Sequence, residues 1–151
     1  MANSYVDFSF ILAEELTTEE SQWLDDNTDY EKLEQQEEPP LWFEDEYLGF
    51  HLSIESRTAY IYTDDGEGNT DHALELTQEF LNKFRPKDSV IIETAFHCSK
   101  PRTGEFGGSA VLVEANRVVS FDPCQMAKVF QDKDKESITV DDLIRIYERG
   151  E

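Results

Sequence analysis

The sequence predicts an α+β fold of the ferredoxin-like kind, a split βαβ sandwich extended by a β-hairpin and C-terminal helices, and three features carry that prediction. Val6, Phe8, Phe10 and Leu12 alternate with Asp7, Ser9 and Ile11 at the two-residue period of a strand. Ala73, Leu76, Thr77, Phe80, Leu81 and Phe84 fall on one stripe of a helix. The elements around them read β-α-β-β-α-β. With 151 residues, 38% of them hydrophobic, the chain can build one packed core, so a single acidic α+β domain over 1–151 is expected.

Taken in order, each element has a local cause. After the first strand, Thr17 and Glu20 have capping-box spacing and open a short helix that buries Trp23 and Leu24 and either stops near Asp25-Asp26-Asn27 or restarts through Tyr30 and Leu33. Pro39 and Pro40 end any helix there, since proline lacks an amide donor. Phe50, Leu52 and Ile54, then Tyr60 and Tyr62, alternate around Glu55-Ser56-Arg57 as a hairpin. The stripe helix can be capped by Asn69 or Thr70 and is stopped by Pro86. Val90 to Phe96 reads as a strand, Ser99 to Gly108 as a loop, and Ala110 to Val113 with Val118 to Phe121 as two further strands. Helices are expected over Pro123 to Gln131 and Val140 to Arg149, the latter opened by Thr139 with Asp142 three residues on.

Charge is the unusual property. The chain has 34 acidic and 13 basic residues, a net charge of −21, which opposes direct binding to nucleic acid or an anionic membrane and favours basic partners. Residues 1–56 hold 16 of the acidic residues against Lys32 alone. Such crowding destabilises the compact state by self-repulsion, and a mixed surface would be as soluble. A binding role for Glu14, Glu15, Glu19, Glu20, Asp25, Asp26, Asp29, Glu37, Glu38, Glu44, Asp45 and Glu46 is therefore expected, against the plainer alternatives of a solvated acidic face or adaptation to high salt.

Chemistry-bearing motifs are weak by comparison. His97 and Cys98 are adjacent, but neighbours on a strand point to opposite faces, so this imidazole does not serve that thiol. A metal site from His51, His97, Cys98 and Cys124 lacks any paired ligand spacing. The run Asp64 to Asp71 suggests a calcium loop yet puts Asn69 where the EF-hand turn needs glycine, so it reads as a turn leading into the helix. No cofactor, metal or catalytic residue is expected. Both cysteines are expected to be reduced, and a start without a basic region or long apolar run predicts a cytoplasmic protein.

Cys98-Ser99-Lys100-Pro101-Arg102, followed by Gly104-Glu105-Phe106-Gly107-Gly108, is the most distinctive segment. Here the chain resembles an uncharacterised family of small acidic proteins of bacterial and bacteriophage genomes. The likeness extends loosely to the preceding strand, helix and loop and to Trp23-Leu24, and it departs after Val113, where an expected Trp-bearing helix is missing from Arg117 to Phe130. The family implies no activity. Its Lys100 and Arg102 are expected to pair with neighbouring carboxylates across a tight reversal.

The functional expectation is a non-enzymatic inhibitor of phage or mobile-element origin, of anti-CRISPR or anti-restriction type. Its carboxylates would imitate nucleic-acid charge and block a basic site on a nucleic-acid-processing host protein. An immunity protein for a cationic nuclease toxin is the first alternative, and a housekeeping acidic domain or an enzyme the next. A hydrophobic interface around Trp42 and Phe43 is the alternative to charge-driven binding.

Overall fold

The computed structural model describes residues 3–100, 106–132 and 137–148, and in them the alternating segments pair into one seven-stranded antiparallel sheet. The strands are β1 (Ser4–Ala13), β2 (His51–Glu55), β3 (Thr58–Tyr62), β4 (Ser89–Cys98), β5 (Gly107–Glu114), β6 (Arg117–Phe121) and β7 (Ile144–Glu148). Their spatial order is β2-β3-β1-β4-β5-β6-β7. Helices α1 (Thr18–Asp26), α2 (Tyr30–Glu34) and α3 (Thr70–Phe84) come before β4, while α4 (Pro123–Asp132) and α5 (Val140–Leu143) lie between β6 and β7. The class is α+β.

Register decides which side chains meet the helices. Phe10 stands opposite Ile61, Phe8 opposite Thr94 and Ile92 opposite Val111, so these residues share one face of the sheet. That face meets Ala73, Leu76, Phe80 and Leu81 of α3, all buried in the same core, and Phe84 packs at its margin. Burial of each such large side chain contributes about 2 kcal/mol, which is why the stripe of α3 outweighs its polar remainder. Asn69 supplies the N-cap by accepting the amide of His72, and the Thr17–Glu20 capping box opens α1 as its spacing predicts. Gly49, at φ +74°, lets the chain approach Asn69, whose amide donates to the Gly49 carbonyl at 2.9 Å.

Two expectations fail in the C-terminal half. The helix predicted over Val140 to Arg149 stops at Leu143, and Ile144–Glu148 forms strand β7 on β6, with Arg149 outside the described residues. Ile144 and Ile146 are β-branched and alternate, and β6 offers an open row of backbone donors and acceptors, so pairing prevails over the helical spacing. Gly107 and Gly108, predicted to lie in a loop, instead begin β5 opposite Phe96 and Ala95. The reversal expected before them falls on residues 101–105, Arg102 included, which lie outside the described residues; Lys100 is exposed.

Candidate functional site

Aromatic side chains, with Trp42, Phe43 and Phe80 buried and Trp23 partly so, fasten the acidic segment to the helical side of the sheet. Trp23 of α1 packs on Phe80, Phe84 and Trp42 with ring centroids 5.9 to 6.1 Å apart. Trp42 donates its indole N–H to the carbonyl of Asn27 at 2.9 Å, and Tyr30 meets Phe43 edge-on at 5.3 Å. Leu41–Glu46 thus lies alongside α1 and α2. It begins as a 3-10 turn and leaves helical geometry at Phe43, with Asp45 and Glu46 in the left-handed region at φ +57° and +58°. Trp42 and Phe43 are buried, so the hydrophobic interface expected around them is corrected: they anchor the acidic loop from inside rather than forming an exposed apolar patch.

The predicted acidic residues separate into three groups. Glu20 does not belong to the exposed surface, being 4% exposed with its carboxylate gripped by Arg85 at 2.8 and 3.2 Å. Its oxygen also accepts the Thr17 amide at 2.8 Å as the returning half of the capping box. Burial opposes the charge of Glu20, but the hydrogen bonds from Arg85 and Thr17 and the Arg85 charge prevail and hold its pKa below the ordinary value. Arg85 further donates to the carbonyl of Glu14, and Arg57 to that of Leu16, so two guanidinium groups pin the turn into α1.

A second group is partly engaged. Asp25 and Asp26 flank Lys32 at 3.5 and 2.8 Å, and the hydrogen bond from Lys32, with a second from Gln22, lowers the pKa of Asp26. Asp29 caps α2 by accepting the Glu31 amide. The third group faces solvent: Glu14, Glu15, Glu19, Glu37, Glu38, Glu44, Asp45 and Glu46 are all exposed. Glu34, Glu44, Asp45 and Glu46 line one hollow with Leu33, Gln36, Pro39 and Phe43, and among the described residues no cationic side chain borders it. Four carboxylates on one concave surface can engage several Lys or Arg side chains at once.

Elsewhere the structure brings together residues that sequence spacing kept apart. His97 and Cys98 do point to opposite faces; Cys98 is buried, while His97 stacks on Tyr5 at 4.9 Å and bonds Asp7 at 2.9 Å. That hydrogen bond, with one from Thr63, lowers the pKa of Asp7. Cys124 and His97 border one hollow of 490 Å³, but no hydrogen bond or ion pair joins them. Both cysteines are free thiols. His51, Asp64 and Asp65 bring a ring nitrogen and two carboxylate oxygens within 4.8 Å of one another, a donor set a divalent cation could use. It was missed because the pairing of His51 with Tyr62, across the hairpin, is what sets it beside residue 64. Asp65 is otherwise occupied, accepting the Glu67 amide in the turn before α3.

A groove of 680 Å³ runs between α3 and strands β4 to β7 over Val111 and Val118, with Leu74, Phe96 and Tyr147 at its sides. Asp71, Glu75 and Glu148 border it, and among the described residues no histidine, cysteine or lysine does. No helix among the described residues is long and apolar enough to cross a membrane. The chain matches no protein-family model, no curated protein and no solved structure.

Proposed function

We propose that this protein is a non-enzymatic inhibitor that occupies a basic, nucleic-acid-processing site on a host protein, in the manner of anti-CRISPR or anti-restriction proteins of phage and mobile elements. The observation that carries the reading is the hollow of Glu34, Glu44, Asp45 and Glu46, mounted on a buried aromatic clasp and flanked by the helix bearing Asp25 and Asp26. Rigid, closely spaced carboxylates reproduce what a basic channel recognises in a phosphate backbone, and their field speeds encounter. Two consecutive left-handed acidic residues are a costly way to build a solvent loop, which supports a selected arrangement of Asp45 and Glu46. In this reading the protein acts in the cytoplasm of a bacterial host, needs no cofactor, and belongs with the phage-like family its Cys98–Gly108 segment resembles. The order β2-β3-β1-β4, each pair antiparallel, supports a ferredoxin-like split βαβ core to which β5, β6 and β7 are added.

The test is capture from host lysate followed by elution across a salt gradient, using the natural chain and a variant with Asp25, Asp26, Glu44, Asp45 and Glu46 reversed to lysine. The natural chain is expected to retain a nucleic-acid-binding protein, to release it as salt rises, and to block its action on DNA or RNA; the folded variant should do none of these. Equal retention by both, or retention indifferent to salt, overturns the reading.

A further inference from the structure

The groove beside α3 is built differently from the acidic hollow. Asp71, Leu74, Glu75 and Gln78 border it at positions i, i+3, i+4 and i+7 of α3, so one stripe of the helix forms its wall. Val111 of β5 and Val118 of β6, on the sheet face that carries Ile92, make an apolar floor. Phe96 and Tyr147 stand at its sides, 39% and 56% exposed. Among the described residues none from α4 or α5 lines the groove. Its 680 Å³ falls within the range of about 300 to 1,000 Å³ that small-molecule sites occupy.

The polar groups of this wall are poorly matched within the protein. Asp71 and Glu75 are like charges one turn apart, a spacing that destabilises a helix, and among the described residues neither has a cationic partner. Asp71 lies in the first turn of α3, where the helix dipole favours it, whereas Glu75 is a turn further in, half-buried and without that compensation. Glu148 stands opposite Arg117 in the β6–β7 register, so the charge argument rests on Asp71 and Glu75. Gln78 is 7% exposed; its Nε2 donates to the Glu114 carbonyl at 3.1 Å, while its Oε1 accepts no hydrogen bond among the described residues. A buried acceptor left open at the wall of a groove suits a donor that arrives with a ligand. Two carboxylates and an amide oxygen all accept hydrogen bonds, and Phe96 and Tyr147 add aromatic surface that attracts a cation.

We infer that this groove binds a small organic amine, an ammonium group carried on an apolar stem, with the ammonium at Asp71, Glu75 and the Gln78 amide oxygen and the stem over Val111 and Val118. A bare metal ion would leave the valine floor in water, and an uncharged apolar ligand would desolvate the two carboxylates without pairing them. One cation with a hydrocarbon body meets both requirements. The inference is independent of the proposed inhibition, because the groove shares no residue with the hollow of Glu34, Glu44, Asp45 and Glu46.

Titration of the full chain with phenethylammonium, read by calorimetry and by methyl NMR signals, tests it. The amine is expected to bind with a Kd of about 1 mM or tighter, shifting the methyl signals of Leu74, Val111 and Val118 while those of Leu33, at the acidic hollow, stay in place. Phenethyl alcohol, which lacks the charge, and methylammonium, which lacks the stem, should each bind at least tenfold more weakly. Glu75→Gln should weaken the amine at least fivefold, and Ser120→Phe, which fills the groove from β6, at least tenfold, both with an unchanged circular-dichroism spectrum. Glu93→Gln removes an exposed carboxylate of β4 that does not line the groove and should leave the affinity unchanged. Equal affinity for the alcohol or for methylammonium overturns the inference, as does undiminished binding by folded Glu75→Gln. So does a trilysine peptide that occupies the groove more tightly than the amine, or the absence of any shift at Leu74, Val111 and Val118 up to about 10 mM amine.

Discussion

On the helical side, carboxylates from α1, α2 and Leu41–Glu46 crowd together over one lysine, while on the open side of the same sheet Asp7 bonds His97 and Glu114 bonds Arg117. The two sides also treat apolar residues differently. Trp23, Trp42, Phe43, Leu24 and Leu33 are drawn beneath the acidic surface, whereas Ile11 and Ile91 remain in water on the open face. The difference teaches that a surface can carry strong repulsion only when something beneath it resists: here an aromatic clasp and the buried Glu20–Arg85 pair offset the cost of concentrated charge.

The comparison is broken most directly at Arg85. Arg85→Ala strands the buried Glu20 carboxylate and frees the turn that Glu14 and Glu15 occupy, so about 3 kcal/mol of stability should be lost, read as a lower urea midpoint. A loss below about 1 kcal/mol would mean that the acidic layer is held by packing alone. Next in size is Gly49→Ala, because a Cβ there would sit 2.4 Å from the Asn69 Cβ at a left-handed φ. It should cost about 2 kcal/mol, while Gly107→Ala, where a Cβ meets nothing within 4 Å, should change stability by less than about 0.5 kcal/mol in the same assay.

A pH series sharpens the role of Glu20. Its pKa in the folded protein is lowered, so its contribution is complete above the unfolded carboxylate value near 4.3, declines as pH falls through the lower folded value and is absent below it. Glu20→Gln should therefore be less stable than the natural chain by about 1 to 2 kcal/mol at pH 7, and the gap should close on acidification. A gap independent of pH would assign the effect of Glu20 to packing. The smallest expected effect is a gain: Asp45→Gly relieves a left-handed non-glycine residue and removes one repelling charge, and should raise stability by about 0.5 to 1 kcal/mol while weakening any cationic partner. Stabilisation without loss of affinity would remove Asp45 from the binding surface.

Much of this was legible from residue order. The alternation of Val6 to Leu12, the stripe from Ala73 to Phe84, the Thr17–Glu20 capping box and the Asn69 cap are local patterns, and local patterns survive because their partners lie within a few residues. The concentration of acid before residue 56 is likewise a property of the chain itself. Tertiary structure alone decided which of these carboxylates remained in water. Glu19 and Glu20 are neighbours of one type, yet only Glu20 is turned inward toward Arg85, which is 65 residues away. Trp42 and Phe43 looked like a surface patch in a polar stretch until α1 and α3 closed over them, and Ile144 to Glu148 looked helical until β6 offered an edge. In each case the deciding contact joins segments distant in sequence, and periodicity records which residues share a side of an element but not what that side will meet.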